Sequence, residues 1–225
     1  METKVTCVIP VYNEEKTIKE IVNSVKPYCD DILVVLARKS SDQTKNILDK
    51  IKVRYIVDNG KGKGDAIRCA ISAIHGGILV FFDADGSHIA KDIKEVVRPI
   101  KSGLADMVIA SRFIGGSMEL HGDFSKFMRV FLAMCIAQII NWRFHTTIGD
   151  TQNGFRAIKA SVAKQLHLKA NIFDIETEMV MKCYKKGYRV LEVPSRELAR
   201  KYGKSGIKIW KMGSIYMWRV LKNLF

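Results

Sequence analysis

Apolar residues fall along this chain in short runs that alternate with longer amphipathic stretches. "VTCVIPV" (5–11), "DILVVL" (31–36), "VRYIV" (53–57), "GILVFF" (77–82) and "DMVIA" (106–110) have strand length and many β-branched residues. Between them, residues 14–25, 41–51, 65–74 and 89–101 carry apolar positions at helical spacing. Asn13, ahead of Glu14 and Glu15, reads as an N-cap followed by acids in the first turn. Strand and helix in regular alternation predict an α/β fold: a mostly parallel central sheet with helices on both faces. The second half is less regular. Residues 124–142 are apolar nearly all round, which fits a core helix or one lying against lipid. Residues 151–161 read as a turn feeding a short strand, 172–187 as a helix stopped by Gly187, and 188–194 as a strand. With no repeat or linker, the expectation is one domain over 1–225, made of a half of about 1–110 and a half of about 111–225.

In open α/β sheets ligands bind beyond the carboxyl ends of the strands. The segments that follow the five runs are "YNEE", "ARKSSD", "DNGKGKGD", "DADGSH" and "SRFIGG", all polar, charged or glycine-rich. They are expected along one edge, with Asp83 and Asp85 in the middle. Two carboxylates one residue apart repel, so something positive should hold them. In an extended segment residues i and i+2 point the same way, and a hard cation such as Mg²⁺ or Mn²⁺ takes oxygen ligands while keeping positions for substrate phosphates. The plainer alternative is a pair of solvated turn aspartates. Lys61 or Lys63 can meet a phosphate near a helix N-terminus, or belong to a solvated loop. Arg112 can grip phosphate or carboxylate with two parallel hydrogen bonds.

Charge narrows the partners. Lys and Arg number 37 against 23 Asp and Glu, a formal +14, which points to a polyanion: nucleic acid, an anionic membrane surface or phosphorylated substrates. From Leu198 to the C-terminus there are seven Lys or Arg and no acid, with Trp210, Tyr216 and Trp218 interleaved. That spacing favours a basic amphipathic helix on an anionic bilayer over nucleic acid. The five cysteines are scattered without a CxxC pair, as free thiols in a reducing compartment are. The N-terminus has no apolar stretch of signal type, and the longest uncharged run, between Arg129 and Arg143, is short for a bilayer span. A cytoplasmic protein, peripheral on the cytosolic face of a membrane, is expected.

The segments "VIPVYNEEKTI" (8–18), "GKGDAI" (62–67), "FFDADGSH" (81–88), "SRFIGG" (111–116), "DTQNGFRAIK" (150–159) and "KKGYRVLEVP" (185–194), then "RKYGKSG" (200–206), resemble in this order the family 2 glycosyltransferases. The likeness is strongest to the dolichol-phosphate mannose synthase branch and covers nearly the whole chain. It implies a nucleotide-diphospho-sugar transferase (GT-A, Rossmann-like) fold. It also implies an inverting transfer of a hexose, mannose or glucose, from a nucleotide diphosphate sugar to a polyprenyl or dolichyl phosphate. By this resemblance Pro10, Tyr12, Glu14, Asp42, Lys63, Asp83 and Asp85 serve the nucleotide sugar, and Asp83 and Asp85 the metal, Mg²⁺ or Mn²⁺. Asp85, Arg112 and Glu178 are the catalytic candidates, with Glu176 second to Glu178. Arg112, Arg200, Lys201 and Ser205 hold phosphate on the acceptor side. One stretch departs from the family: "ARKSSDQT" (37–44) has Ala37 and Arg38 where two acids usually help to recognise the base. A soluble hydroxyl acceptor, or a degenerate binding module without activity, is the rival expectation.

Overall fold

The computed structural model describes residues 3–118, 124–202 and 218–224. Seven strands form one sheet: β1 (Val5–Val11), β2 (Asp31–Leu36), β3 (Tyr55–Val57), β4 (Ile78–Phe81), β5 (Met107–Ser111), β6 (Arg156–Lys159) and β7 (Val190–Pro194). Their spatial order is β3-β2-β1-β4-β6-β5-β7. β6 runs antiparallel to β4 and β5, while the other neighbours pair in parallel. The helices are α1 (Ile18–Val25), α2 (Thr44–Ile51), α3 (Lys63–Ala73), α4 (Ile93–Lys101), the single turn α5 (Arg112–Gly115), α6 (Phe124–Phe144), α7 (Ala160–Gln165) and α8 (Ile175–Lys185). Residues 218–224 are also helical.

Side chains alternate across each strand, so a strand buried on both faces feeds two cores. β1 sends Val8 to one core and Cys7 and Ile9 to the other; β4 sends Leu79 and Phe81 one way, Ile78 and Val80 the other. α1, α2 and α4 cover one face through Ile18, Val22, Leu48, Ile93 and Val96. α3, α6, α7, α8 and the C-terminal helix cover the opposite face through Ile67, Ile140, Val162, Met179 and Val220. The expected three-layer arrangement is therefore present.

Two local expectations change, and the short strand expected within 151–161 gains its place in the sheet. Asn13 is not an N-cap: its φ is +55°, α1 begins five residues later, and its Oδ1 accepts from the Ser41 amide at 2.8 Å. It ties the exit of β1 to the exit of β2. The short strand at 156–159 inserts antiparallel between β4 and β5, which brings the "DTQNGFR" loop beside the end of β4. Finally, the 19 residues Lys126–Phe144 are long and apolar enough to cross a membrane by length and composition, with mean hydropathy 1.3. Counting only the uncharged run had hidden this, because Lys126 and Arg129 lie within the helix. α6 buries Ala133, Ile136, Ala137 and Ile140, while Phe127, Phe131, Met134 and Trp142 on another face are 50–78% exposed.

Candidate active site

The exits of β1, β2 and β4 meet along one rim, held there by side chains bonded to backbone. Asp42 accepts from the Glu15 and Thr44 amides, each at 3.0 Å. Thr44 Oγ1 accepts from the Glu14 amide at 2.9 Å. Asp42 thus works as a strap between two loops, with both carboxylate oxygens engaged by amides; burial opposes its charge, but these bonds hold its carboxyl below the usual range. Pro10 is the residue of β1 opposite Val35, and Tyr12 stands 59% exposed just beyond. Burial pushes the Glu14 carboxyl up; its bond from Thr17 opposes this, and the nearby Asp85 adds to it.

β4 ends at Phe81, and the acidic turn follows. Gly86, at φ +80°, lets it close. Asp85 Oδ1 accepts from the Ser87 amide at 3.0 Å and from its hydroxyl at 2.7 Å. The segment before residue 203 folds back over this turn: the Leu198 amide donates to Ser87 O at 2.8 Å and the Lys201 amide to Asp85 O at 2.9 Å. That places Arg200 Nη2 3.4 Å from Asp85 Oδ2, and Lys201 Nζ pairs with Glu20. Ser205 lies outside the described residues, as does most of the basic tail.

Asp83 meets a different set of partners, with its side chain 26% exposed against 14% for Asp85. Lys63 Nζ lies 2.7 Å from Asp83 Oδ1 and 3.1 Å from Glu176 Oε1, and His88 Nε2 lies 3.4 Å from Asp83 Oδ2. Burial works against all these charges. The mutual attraction outweighs it for Lys63, which is lifted, and for Asp83, which ends well below the usual carboxylate range. For Glu176 burial wins and its carboxyl is raised; its buried Oε2 has no hydrogen-bond partner among the described residues. Gly154 makes room for the pair, because a Cβ there would come within 2.5 Å of Asp83 Oδ2 and 2.7 Å of Lys63 Nζ. Lys63 is thus turned away from the phosphate-facing position expected of it, since two carboxylates already claim its charge.

Arg112 and Glu178 also differ from expectation. Arg112 is buried and bidentate to Asp150, with Nε to Oδ2 at 2.8 Å and Nη2 to Oδ1 at 2.9 Å; Nη1 lies 3.6 Å from Glu197 Oε1. Its fork is filled by carboxylates and anchors α5 to the loop before β6. Glu178 Oε2 accepts from the Lys169 and Ala170 amides at 3.0 and 2.7 Å, and Oε1 lies 2.9 Å from Lys182 Nζ and 3.7 Å from Arg219 Nη1. It clamps α8 to the preceding loop and the C-terminal helix. Glu176, two residues earlier, is the glutamate that reaches the Asp83 cluster. The sequence held a signal for this: residues i and i+2 of a helix lie on different faces, so only one of the two acids can point at the sheet edge.

At the β2 exit, where the family's acids are replaced, the Arg38 amide donates to Asp58 Oδ1 at 2.8 Å and its Nε to Asp58 O at 3.1 Å. The guanidinium therefore lies on the β3 exit.

No group of three or more His, Cys, Asp or Glu side chains among the described residues is arranged to hold a metal ion. Asp83 Oδ1 is held by Lys63 at 2.7 Å, while Asp83 Oδ2 and Asp85 Oδ2 each meet a side-chain nitrogen, of His88 and Arg200, at 3.4 Å. This donor set fits a hard cation shared with substrate phosphates through Asp85, not an all-protein cage.

The model of "Glycosyl transferase family 2" matches residues 6–166. The protein MJ1222 of Methanocaldococcus jannaschii is 31% identical over 205 residues, 88% of this chain and 83% of that one. The dolichol-phosphate mannosyltransferase of Pyrococcus furiosus is 26% identical over 213 residues, 91% of this chain but 59% of that one. Glucosyl-3-phosphoglycerate synthase of Mycobacterium tuberculosis, solved with Mn²⁺, UDP and glucosyl-3-phosphoglycerate, superposes with a TM-score of 0.75 over 99% of this chain and 80% of that one. At 18% identity that last likeness establishes the fold, that of the GT-A glycosyltransferases. The matched model spans both β4 with its acidic turn and the "DTQNGFR" loop beneath it, so the chain belongs to glycosyltransferase family 2.

Proposed function

We propose that this chain transfers a hexose from a nucleoside diphosphate sugar to a polyprenyl phosphate at a membrane surface, with inversion at the anomeric carbon. The observation that carries the reading is the meeting of Glu14, Asp85 and Arg200 at the rim, where Arg200 stands 3.4 Å from Asp85 and both lie close enough to Glu14 to act on its charge. Tyr12 and Pro10 border the nucleotide, and Asp85 is the carboxylate that holds the diphosphate's metal. When bound, Mg²⁺ or Mn²⁺ neutralises the departing diphosphate. Arg200 and Lys201 draw the phosphates to the turn. Asp83, Lys63 and Glu176 form the floor that fixes the position of Asp85. A phosphate acceptor is already ionised near neutral pH and needs no strong general base, so positioning and charge neutralisation supply the rate. Residues 1–110 serve the donor in this reading, and 111–225 the acceptor.

A lipid acceptor is supported by the names of two relatives, the P. furiosus enzyme and the polyprenol monophosphomannose synthase of Mycolicibacterium smegmatis. The exposed stripe Phe127, Phe131, Met134 and Trp142 on a helix without an acid also supports it. Because α6 buries its opposite face in the protein, it lies along the surface instead of crossing it. The second reading, a soluble phosphorylated acceptor, is favoured by a structural neighbour solved with phosphoglyceric acid. The deciding experiment offers radiolabelled UDP- and GDP-hexoses with Mn²⁺ to the protein, and either polyprenyl phosphate in vesicles or phosphoglycerate in solution. Label in the lipid phase supports the first reading. Label only in the soluble phase refutes the lipid acceptor, and no transfer from any donor refutes both.

A further inference from the structure

Two aspartates one residue apart raise the question of what neutralises them, and the protein supplies its own answer. Lys63 lies 2.7 Å from Asp83 and Arg200 lies 3.4 Å from Asp85. We infer that Lys63 and Arg200 are resident counter-ions that close the acidic turn to divalent cations, so that metal enters only together with the donor diphosphate. This rests on the donor assignment proposed above and adds an order of binding to it.

The two counter-ions are built differently. Lys63 is the first residue of α3; its side chain is 16% exposed, and its Nζ lies 5.8 Å from the centre of the Phe173 ring. Withdrawing it would leave Asp83 and the buried Glu176 facing each other with no cation between them, a state that costs far more than a surface pair. Lys63 therefore stays. Arg200 meets Asp85 through one nitrogen and one oxygen at the longer distance, with its side chain 25% exposed. A guanidinium binds phosphate in bidentate fashion more strongly than it holds a single carboxylate oxygen at that distance. An arriving diphosphate draws Arg200 onto its own oxygens and releases Asp85 Oδ2. The same diphosphate brings the negative charge that a dication needs beside Lys63. Without it, a dication at the acidic turn is opposed by Arg200 at Asp85 and by Lys63 at Asp83.

The test is Mn²⁺ binding, read from the loss of the free-ion electron paramagnetic resonance signal. Wild type, Lys63→Met, Lys63→Arg and Arg200→Gln are compared with Mn²⁺ alone, then with UDP or GDP added. Wild type and Lys63→Arg are expected to bind Mn²⁺ weakly until a diphosphate is present. Lys63→Met and Arg200→Gln are expected to bind Mn²⁺ alone about tenfold more tightly, the effect of removing one adjacent charge. Should Lys63→Met fail to fold by circular dichroism, Arg200→Gln, at a partly exposed side chain, decides the matter. Tight Mn²⁺ binding by wild type without diphosphate, or no gain in the folded variants, overturns the inference. Thermal shift with UDP and GDP separates the two levels. If neither diphosphate stabilises the protein, the donor assignment falls; if one does and Mn²⁺ is held equally well without it, only the counter-ion inference falls.

Discussion

Two pairs of acids, each one residue apart, meet opposite fates. After β4, Asp83 pairs with Lys63 while Asp85 meets Arg200. At the start of α8, Glu176 joins that same inner lysine while Glu178 turns away to the Lys169 and Ala170 amides. The same spacing thus gives neighbours that share one turn and neighbours on different faces of a helix, because a turn and a helix project i and i+2 differently. In each pair one acid meets Lys63 and the other takes different partners. The largest expected effect follows from the β4 pair. Asp85→Ala removes the carboxylate without emptying a core, so transfer should fall by about 10²–10³-fold or more, while loss of its bonds from the Ser87 amide and hydroxyl costs only about 1–2 kcal/mol of stability. An active Asp85→Ala enzyme would erase the distinction between the two aspartates.

The α8 pair predicts a crossed result. Glu178→Ala strips the acceptor from two amides and one partner each from Lys182 and Arg219, which keep His167 O and Asp174, a loss of about 1–3 kcal/mol in a denaturant titration, with turnover of the remaining folded protein retained. Glu176→Gln keeps the shape but weakens the hold on Lys63 and the placing of Asp83. Turnover should fall by on the order of 10–10²-fold, with a smaller change in stability. If Glu178 variants lose turnover without losing stability, the assignments exchange.

How far the sequence revealed this follows from the same residues. The strands and the convergence of their exits were legible, because β-branched runs and polar ends are local signals; β1 and β2 lie where the pattern puts them. Asp85 and Arg200, both expected at the site, come from separate motifs that the fold brings into contact. Arg112 and Lys63 were legible as important cations but not in their partners. Asp150 is 38 residues from Arg112, and Glu176 is 113 from Lys63. Those pairings depend on the antiparallel insertion of β6 between β4 and β5, which no local pattern announces. Asp42 likewise read as a ligand because its acceptor role toward the Glu15 amide spans 27 residues.

The contrast between rim and surface gives a smaller effect. Phe127→Ser with Phe131→Ser removes two rings that are 61% and 50% exposed, so folding should be nearly unchanged. Flotation with anionic vesicles should weaken by at least about tenfold, as expected for two apolar side chains lost from a lipid contact. Undiminished flotation would remove α6 from the membrane surface and leave the rim as the only functional face.

The smallest effect is the pH dependence of stability, and it separates the members of the two pairs that meet Lys63. Asp83 has a folded pKa below its unfolded value, set by Lys63 and His88 against the cost of burial. Its contribution is fully present above the unfolded value of about 4 and is lost as pH falls below that toward the folded value. Glu176 has the opposite sign, because burial raises its carboxyl. In the window between its unfolded value, near 4, and its higher folded value, the native state binds more protons, so stability rises as pH falls. Wild type should therefore gain slightly in thermal midpoint on mild acidification and then lose it below about pH 4. Glu176→Gln should remove the gain and leave the loss, while Asp83→Asn should soften the loss and, because Asp83 helps to raise Glu176, also shrink the gain. Identical pH profiles for the two variants would mean that Lys63 does not divide its charge between them as the 2.7 and 3.1 Å contacts require.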